Sequence, residues 1–176
     1  MPQTKCNVAK QLSSWLRGAG RVVVVGVGNP IRMDDFVGVK IVQNLRGRVD
    51  AGNVMLVDAE TVPENHLQLI LEFKPTHVLI VDAAKMGMEA GESRLVDPSQ
   101  ASDKPTYSTH MLPLRLFCEY LAKEAHAKVA LLLIEPELTD FGEGLTPEVE
   151  AAAENIANSL IRLLSARGKR RSSKNF

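Results

Sequence analysis

The sequence predicts an α/β protein: a mostly parallel sheet of about five strands, sandwiched between helices. Three observations carry this. Short runs dense in valine, leucine and isoleucine, at 22–25, 54–57, 77–81 and 129–134, have the length and content of strands buried on both faces. Between them lie segments whose apolar residues recur at helical spacing. Strand and helix then alternate along the chain, which is the pattern of parallel β-α-β units.

Each element has its own signal. Residues 6–16 form an amphipathic helix with Val8, Leu12, Trp15 and Leu16 on one side, ended by Gly18 and Gly20. Four valines after Arg21 make the first strand, and Gly26-Val27-Gly28 opens a loop that reaches Asp34. A helix follows with Val37, Ile41, Val42 and Leu45 on one face. Asp58 closes the second strand; Pro63 suits the first turn of a helix that carries Leu67, Ile70 and Leu71 inward. Asp82 closes the third strand, and 93–96 is a shorter fourth. Residues 97–109 are polar, with Pro98 and Pro105, and read as a loop. Pro113 then opens a helix with Leu114, Phe117 and Leu121 on one stripe. The last strand, 129–134, leads into an irregular stretch at 136–144. Thr146, Pro147 and Glu148 supply a cap, a rigid first residue and a negative charge for the final helix. Its period holds through Val149, Ala153, Ile156, Leu160 and Leu164, and Gly168 is expected to stop it. The sequence thus predicts one domain over 1–168 and a solvated basic tail over 169–176.

Composition narrows the function. The 176 residues suffice for one hydrophobic core, and 21 basic residues balance 21 acidic ones, so no global field draws the chain to nucleic acid or an acidic membrane. No apolar run approaches the length of a membrane span, and Lys5 and Lys10 flank no continuous apolar segment of the kind a signal peptide has. Two distant cysteines, Cys6 and Cys118, make neither a disulfide framework nor a thiolate zinc site. A cytoplasmic protein, without membrane insertion and favoured as a monomer, is the expectation.

In a parallel sheet the ligand site lies beyond the carboxyl ends of the strands, where loops and helix N-termini face one crevice. Asp34 and Asp35 follow the first strand, Asp58 ends the second and Asp82 ends the third. Crowded carboxylates repel unless a cation or a proton lies between them. The glycine loop fails as a dinucleotide motif: Ile31 occupies the third glycine position, and Asp34 and Asp35 would repel a pyrophosphate. The same acids favour a cation. Of the four histidines, His66, His77 and His126 read as ordinary surface residues, whereas His110 ends the polar loop just before the Pro113 helix, on a loop able to face the crevice; alone it would read as a structural or exposed histidine, and the acids give it weight. An acid of the 34–35 pair, Asp82 and His110 would make an open oxygen–nitrogen site for nickel or zinc. Asp58 reads either as a residue orienting a ligand or as a turn cap.

The residues that carry these signals resemble the hydrogenase maturation endopeptidases, which process the large subunit of [NiFe] hydrogenases. The matching pieces are Val25-Gly26-Val27-Gly28-Asn29-Pro30 with Asp34-Asp35-Phe36-Val37-Gly38, then Val57-Asp58-Ala59 with Pro63-Glu64-Asn65. They continue with Leu79-Ile80-Val81-Asp82-Ala83, Gly91-Glu92, and Ser108-Thr109-His110 before Leu112-Pro113-Leu114. Pro63-Glu64-Asn65 and the run 108–113 look most like the branch serving hydrogenase 3 and formate hydrogenlyase. The resemblance selects Asp35 over Asp34 and implies that Asp35, Asp82 and His110 are nickel ligands; the same three are the catalytic candidates, acting either through a metal-activated water or with Asp35 or Asp82 as general base. It further implies recognition of nickel already inserted in the large-subunit precursor, then a single cut that removes a C-terminal extension. The chain departs from the family at the helix 6–16, at Glu135, where relatives often have glutamine, and in the basic tail. A non-catalytic nickel chaperone for the same precursor is the alternative, and a nucleotide-dependent oxidoreductase or a small-substrate metallohydrolase are rivals.

Overall fold

Strands β1 (Val22–Val27), β2 (Val54–Glu60), β3 (His77–Ala83), β4 (Ser93–Val96) and β5 (Lys128–Ile134) form one sheet in the order β2-β1-β3-β5-β4. This computed structural model describes residues 5–49, 52–100 and 111–172. The first three strands and β5 run parallel, and β4 lies antiparallel on the β5 edge. Every residue of β1 and β3 is buried, which explains their unbroken apolar runs; β2 and β4, at the edges, are only partly covered.

Alternate residues of each strand feed two cores. On one face Val22, Val24, Leu79, Val81 and Leu132 pack against helices α1 (Lys5–Trp15), α2 (Val37–Leu45) and α5 (Pro147–Ser172). On the other, Val23, Val25, Val78, Ile80 and Leu133 meet α3 (Leu67–Phe73) and α4 (Met111–Ala125). The result is the three-layer sandwich that the sequence predicts. The chain leaves β1 for β2 on one side and returns to β3 on the other, so the strand order switches at β1 and β3. The crevice beyond their carboxyl ends is therefore the switch point at which α/β proteins place ligands.

The entry to α2 is packed with no room to spare. A Cβ on Gly38 would collide with the carbonyl oxygens of Val81 and Val27, and one on Gly28 with the carbonyl of Asp35. These glycines let the first turn of α2 rest directly on the ends of β1 and β3. Gly38→Ala must force these backbones apart, an expected loss of about 3 kcal/mol. Urea unfolding of the variant measures it; a midpoint equal to wild type would contradict the packing.

Three expectations need correction. Helix α5 runs on to Ser172 rather than stopping at Gly168. One glycine costs about 1 kcal/mol in a helix, too little to end one that the preceding turns already hold. The segments after β1 and β2 begin as 3-10 turns, Met33–Phe36 and Pro63–His66, before α2 and α3 start. His77, read as a surface residue, is buried at the start of β3. Its ring meets Trp15 edge to face with centroids 5.0 Å apart, and Nδ1 lies 2.9 Å from Thr76 Oγ1. A helix invisible from the strand's own sequence covers it.

Candidate functional site

Asp82 stands one residue before the end of β3 and is almost wholly buried. It shares strand parity with Val78 and Ile80, so it lies on the α4 face of the sheet. Its Oδ1 accepts a hydrogen bond from the Ala83 N–H at 2.8 Å. Burial pushes its pKa well above the usual carboxylate range, the negative charge of Asp35 pushes the same way, and the Ala83 N–H opposes both. The charge of Asp35 thus acts on Asp82 although the two lie far apart in the sequence.

Asp35 reaches the crevice from the 3-10 turn after β1. It is half-buried, and its Oδ2 accepts from the Asn29 N–H at 3.0 Å, which closes the glycine loop around it. It does not cap α2: Phe36 holds that position and no side chain caps the helix.

Asp34 plays a different part. It is completely buried, and its carboxylate accepts four hydrogen bonds: from the N–H of Glu137, Leu138 and Thr146 at 2.9, 3.0 and 2.7 Å, and from Thr146 Oγ1 at 2.8 Å. Both oxygens are occupied, so the acid pair divides into an internal clamp, Asp34, and a crevice residue, Asp35. The hydroxyl expected to cap α5 is turned to this clamp instead. No local signal in the sequence could show it, because the partners lie more than a hundred positions away.

Asp58 shares parity with Leu56 on the α2 face, opposite Asp82, and its Oδ2 lies 3.8 Å from an Arg46 guanidinium nitrogen. Its Oδ1 is buried with no hydrogen-bond partner among the described residues, so the carboxylate caps no turn. His110 lies outside the described residues; α4, which begins at Met111, lies on the Asp82 face. Among the described residues no group of three His, Cys, Asp or Glu side chains could hold a metal ion. The described part of the site is thus a carboxylate pair. Two such groups share a proton or a cation, and can serve as general acid and base.

Sequence reasoning missed how Glu135 works. It is buried just beyond β5, and its Oε2 accepts from the Met86 N–H. Its own N–H donates to the Glu92 carbonyl and its carbonyl accepts from the Gly91 N–H. Both ends of the loop that follows Asp82 are therefore tied to one residue. Cys118 is buried on α4, and burial pushes its thiol up to about 12, so it is packing and not a nucleophile.

A family model described as hydrogenase maturation protease matches residues 39–163. The chain belongs to the hydrogenase maturation protease family. A putative hydrogenase maturation protease of Methanocaldococcus jannaschii is 31% identical over 162 residues, covering 88% of this chain and 95% of the relative. The hydrogenase 3 maturation protease of Escherichia coli K12 is 33% identical over 138 residues, covering 78% and 87%. Among solved structures, the [NiFe] hydrogenase maturation protease HycI from Thermococcus kodakarensis superposes with a TM-score of 0.82 at 30% identity, covering 88% of this chain and 98% of that one. The hydrogenase maturating endopeptidase HybD from E. coli gives 0.68 at 28% identity, covering 85% and 93%. As a hydrogenase maturation protease the chain is a hydrolase of peptide bonds, and its fold is the five-stranded α/β sandwich of HycI and HybD. No described helix is long and apolar enough to cross a membrane.

Proposed function

We propose that this hydrogenase maturation protease recognises nickel within the [NiFe] hydrogenase large-subunit precursor and removes the precursor's C-terminal extension. The metal arrives as part of the substrate, and Asp35, Asp82 and His110 are its ligands on this chain. The observation that carries the reading is the charge of Asp35 bearing on buried Asp82 beyond the carboxyl ends of β1 and β3. A divalent ion offsets that charge, and carboxylate and imidazole donors suit nickel.

The two acids have different work. Asp82 is held by the Ala83 N–H and walled by the sheet, so it presents a fixed oxygen in a dry setting. Asp35 is half-exposed and held at one oxygen by the Asn29 N–H, which leaves its other oxygen for the incoming substrate. When bound, nickel polarises the scissile carbonyl or lowers the pKa of an attacking water. A carboxylate of the pair takes the proton that the water releases. A cytoplasmic setting accords with this reading, since no described helix is long and apolar enough to cross a membrane.

The test is mass spectrometry of the precursor after incubation with this protein, with and without nickel inserted. Loss of a C-terminal peptide only from the nickel-loaded precursor is expected, and alanine at Asp35, Asp82 or His110 should each abolish it. Nickel-dependent binding with no peptide released would instead identify a docking factor. Normal cleavage by all three variants would end the site assignment.

A further inference from the structure

The loop after β5 and the loop after β1 are bonded into one platform beside Asp35. Gly142 donates to the Ile31 carbonyl at 2.9 Å, Met33 to the Gly142 carbonyl at 3.0 Å and Asp34 to the Leu138 carbonyl at 3.0 Å. Arg32 Nε donates to the Thr139 carbonyl at 3.1 Å, and the Asp34 clamp fixes both ends of the second loop. On this pinned scaffold three apolar side chains face solvent: Phe141 is 85% exposed, Ile31 45% and Leu138 43%. Next to them lies a groove of about 280 Å³ floored by Ile31, Phe36 and Leu145, with Lys40 and Glu150 4.0 Å apart at its wall. The exposed acids Glu137, Asp140 and Glu143 stand along the same loop, against one arginine, Arg32.

An aromatic ring held out into water by a rigid loop gains nothing for the fold. A preorganised apolar anchor with a charged rim is what a binding surface requires. We infer that the loop pair 29–33 and 136–145 is the docking surface for the substrate protein: an apolar segment of the large-subunit precursor, flanked by basic side chains, seats on Phe141, Ile31 and the adjoining groove. The inference rests on the endopeptidase reading above and adds the surface that grips the substrate outside the metal crevice. Two features of the platform select this occupant. The platform continues directly into Asp35 through Met33 and Asp34, so a chain seated on it is delivered to the crevice. With the groove wall included, its rim carries four acids, Glu137, Asp140, Glu143 and Glu150, against two bases, Arg32 and Lys40, so it attracts basic neighbours and repels acidic ones.

The experiment measures Kd for nickel-loaded precursor and KM for cleavage with wild type, Phe141→Ser, Ile31→Ser and a control, Leu69→Ser. Leu69 is 52% exposed on α3, outside the platform. Each platform variant is expected to weaken binding about tenfold or more and to raise KM alike. Melting temperatures should not move, because neither side chain is buried, and the control should bind as wild type does. Raised salt should weaken wild-type binding through the acidic rim. Equal Kd and KM in wild type and both platform variants would overturn the surface while leaving the peptidase reading intact. A wild type that binds, with weakened variants and no cleavage by any of them, would keep the surface and remove the peptidase reading. If Phe141→Ser abolished self-association of this chain and left precursor binding unchanged, the platform would be an interface between copies and the proposal would fall.

Discussion

Replacing Asp82 with asparagine is expected to abolish cleavage and, at the same time, to make the metal-free protein more stable at neutral pH. The two effects have one origin. Burial, reinforced by the charge of Asp35, raises the pKa of Asp82 well above the ordinary carboxylate range. The folded state therefore holds this proton more tightly than the unfolded chain, whose aspartates ionise near 3.9. Below that value both states are protonated and the group costs nothing. As pH rises from there through the folded-state pKa, the unfolded chain is favoured by its easier ionisation, and stability is lost. Asparagine keeps the acceptor for the Ala83 N–H and carries no charge to desolvate, so its stability should lack this fall. Thermal melts of chelator-treated wild type and Asp82→Asn at pH 4.5 and 7.5 measure it. The gap should favour the variant and widen at the higher pH. Peptide release from nickel-loaded precursor should drop about a thousandfold or more, since a neutral amide neither takes a proton nor binds a divalent ion as a carboxylate does. A variant less stable than wild type at both pH values would show that the charge on Asp82 is well accommodated, contrary to its surroundings. If the variant is instead the more stable protein, as expected, the wild-type site gives up stability for function.

What the sequence made legible follows from the range of each interaction. Burial on both faces is a property of consecutive residues, so the valine run of β1 and the leucine run of β5 announced themselves, and alternation with helical segments gave a parallel sheet. The position of Asp82 at a strand end was equally local. Its meeting with Asp35 followed from topology, because strands that flank a switch point bring their ends together. The roles inside the Asp34-Asp35 pair were not legible from the residues alone. They depend on donors at Glu137, Leu138 and Thr146, which the chain brings back only after two more strands. Asp58 looked equivalent to Asp82 as a strand-end acid, but strand parity puts it on the opposite face, beside Arg46. His77 was misread for a related reason: its cover, Trp15, comes from α1, far upstream. Thr146 had the composition of a helix cap, yet a buried carboxylate offered its hydroxyl a stronger partner than a helix end does.

Asp34→Ala should be the most damaging single substitution outside the crevice. It removes both acceptors of a fully buried carboxylate and strands the N–H of Thr146 and the Thr146 hydroxyl, which are buried, together with the N–H groups of Glu137 and Leu138. Each buried orphan costs about 1–3 kcal/mol, while the two loop amides at Glu137 and Leu138 recover part of theirs from water, so a total loss of about 3–5 kcal/mol is expected. Asp34→Asn should lose less. Its carbonyl can keep the three bonds made to Oδ2, but its amide then points N–H groups at the N–H of Thr146. Thr146→Val should cost about 1–2 kcal/mol by deleting one donor. Combined with Asp34→Ala it should add little, because the bond it removes is already gone. Urea unfolding of the four variants beside wild type sets this order, and an Asp34→Ala midpoint within error of wild type would refute the clamp. The functional consequence is distinct from the loss of stability. With the clamp gone, the loop that carries Leu138 and Phe141 is no longer tied to the turn that carries Asp35. At temperatures where the variant remains folded, binding of the precursor should weaken along with the chemistry. Asp82→Asn, by contrast, should bind the apolar segment and fail only at the metal. The two acids, each buried near the same crevice, then separate by readout: one holds the walls in place, the other meets the ion.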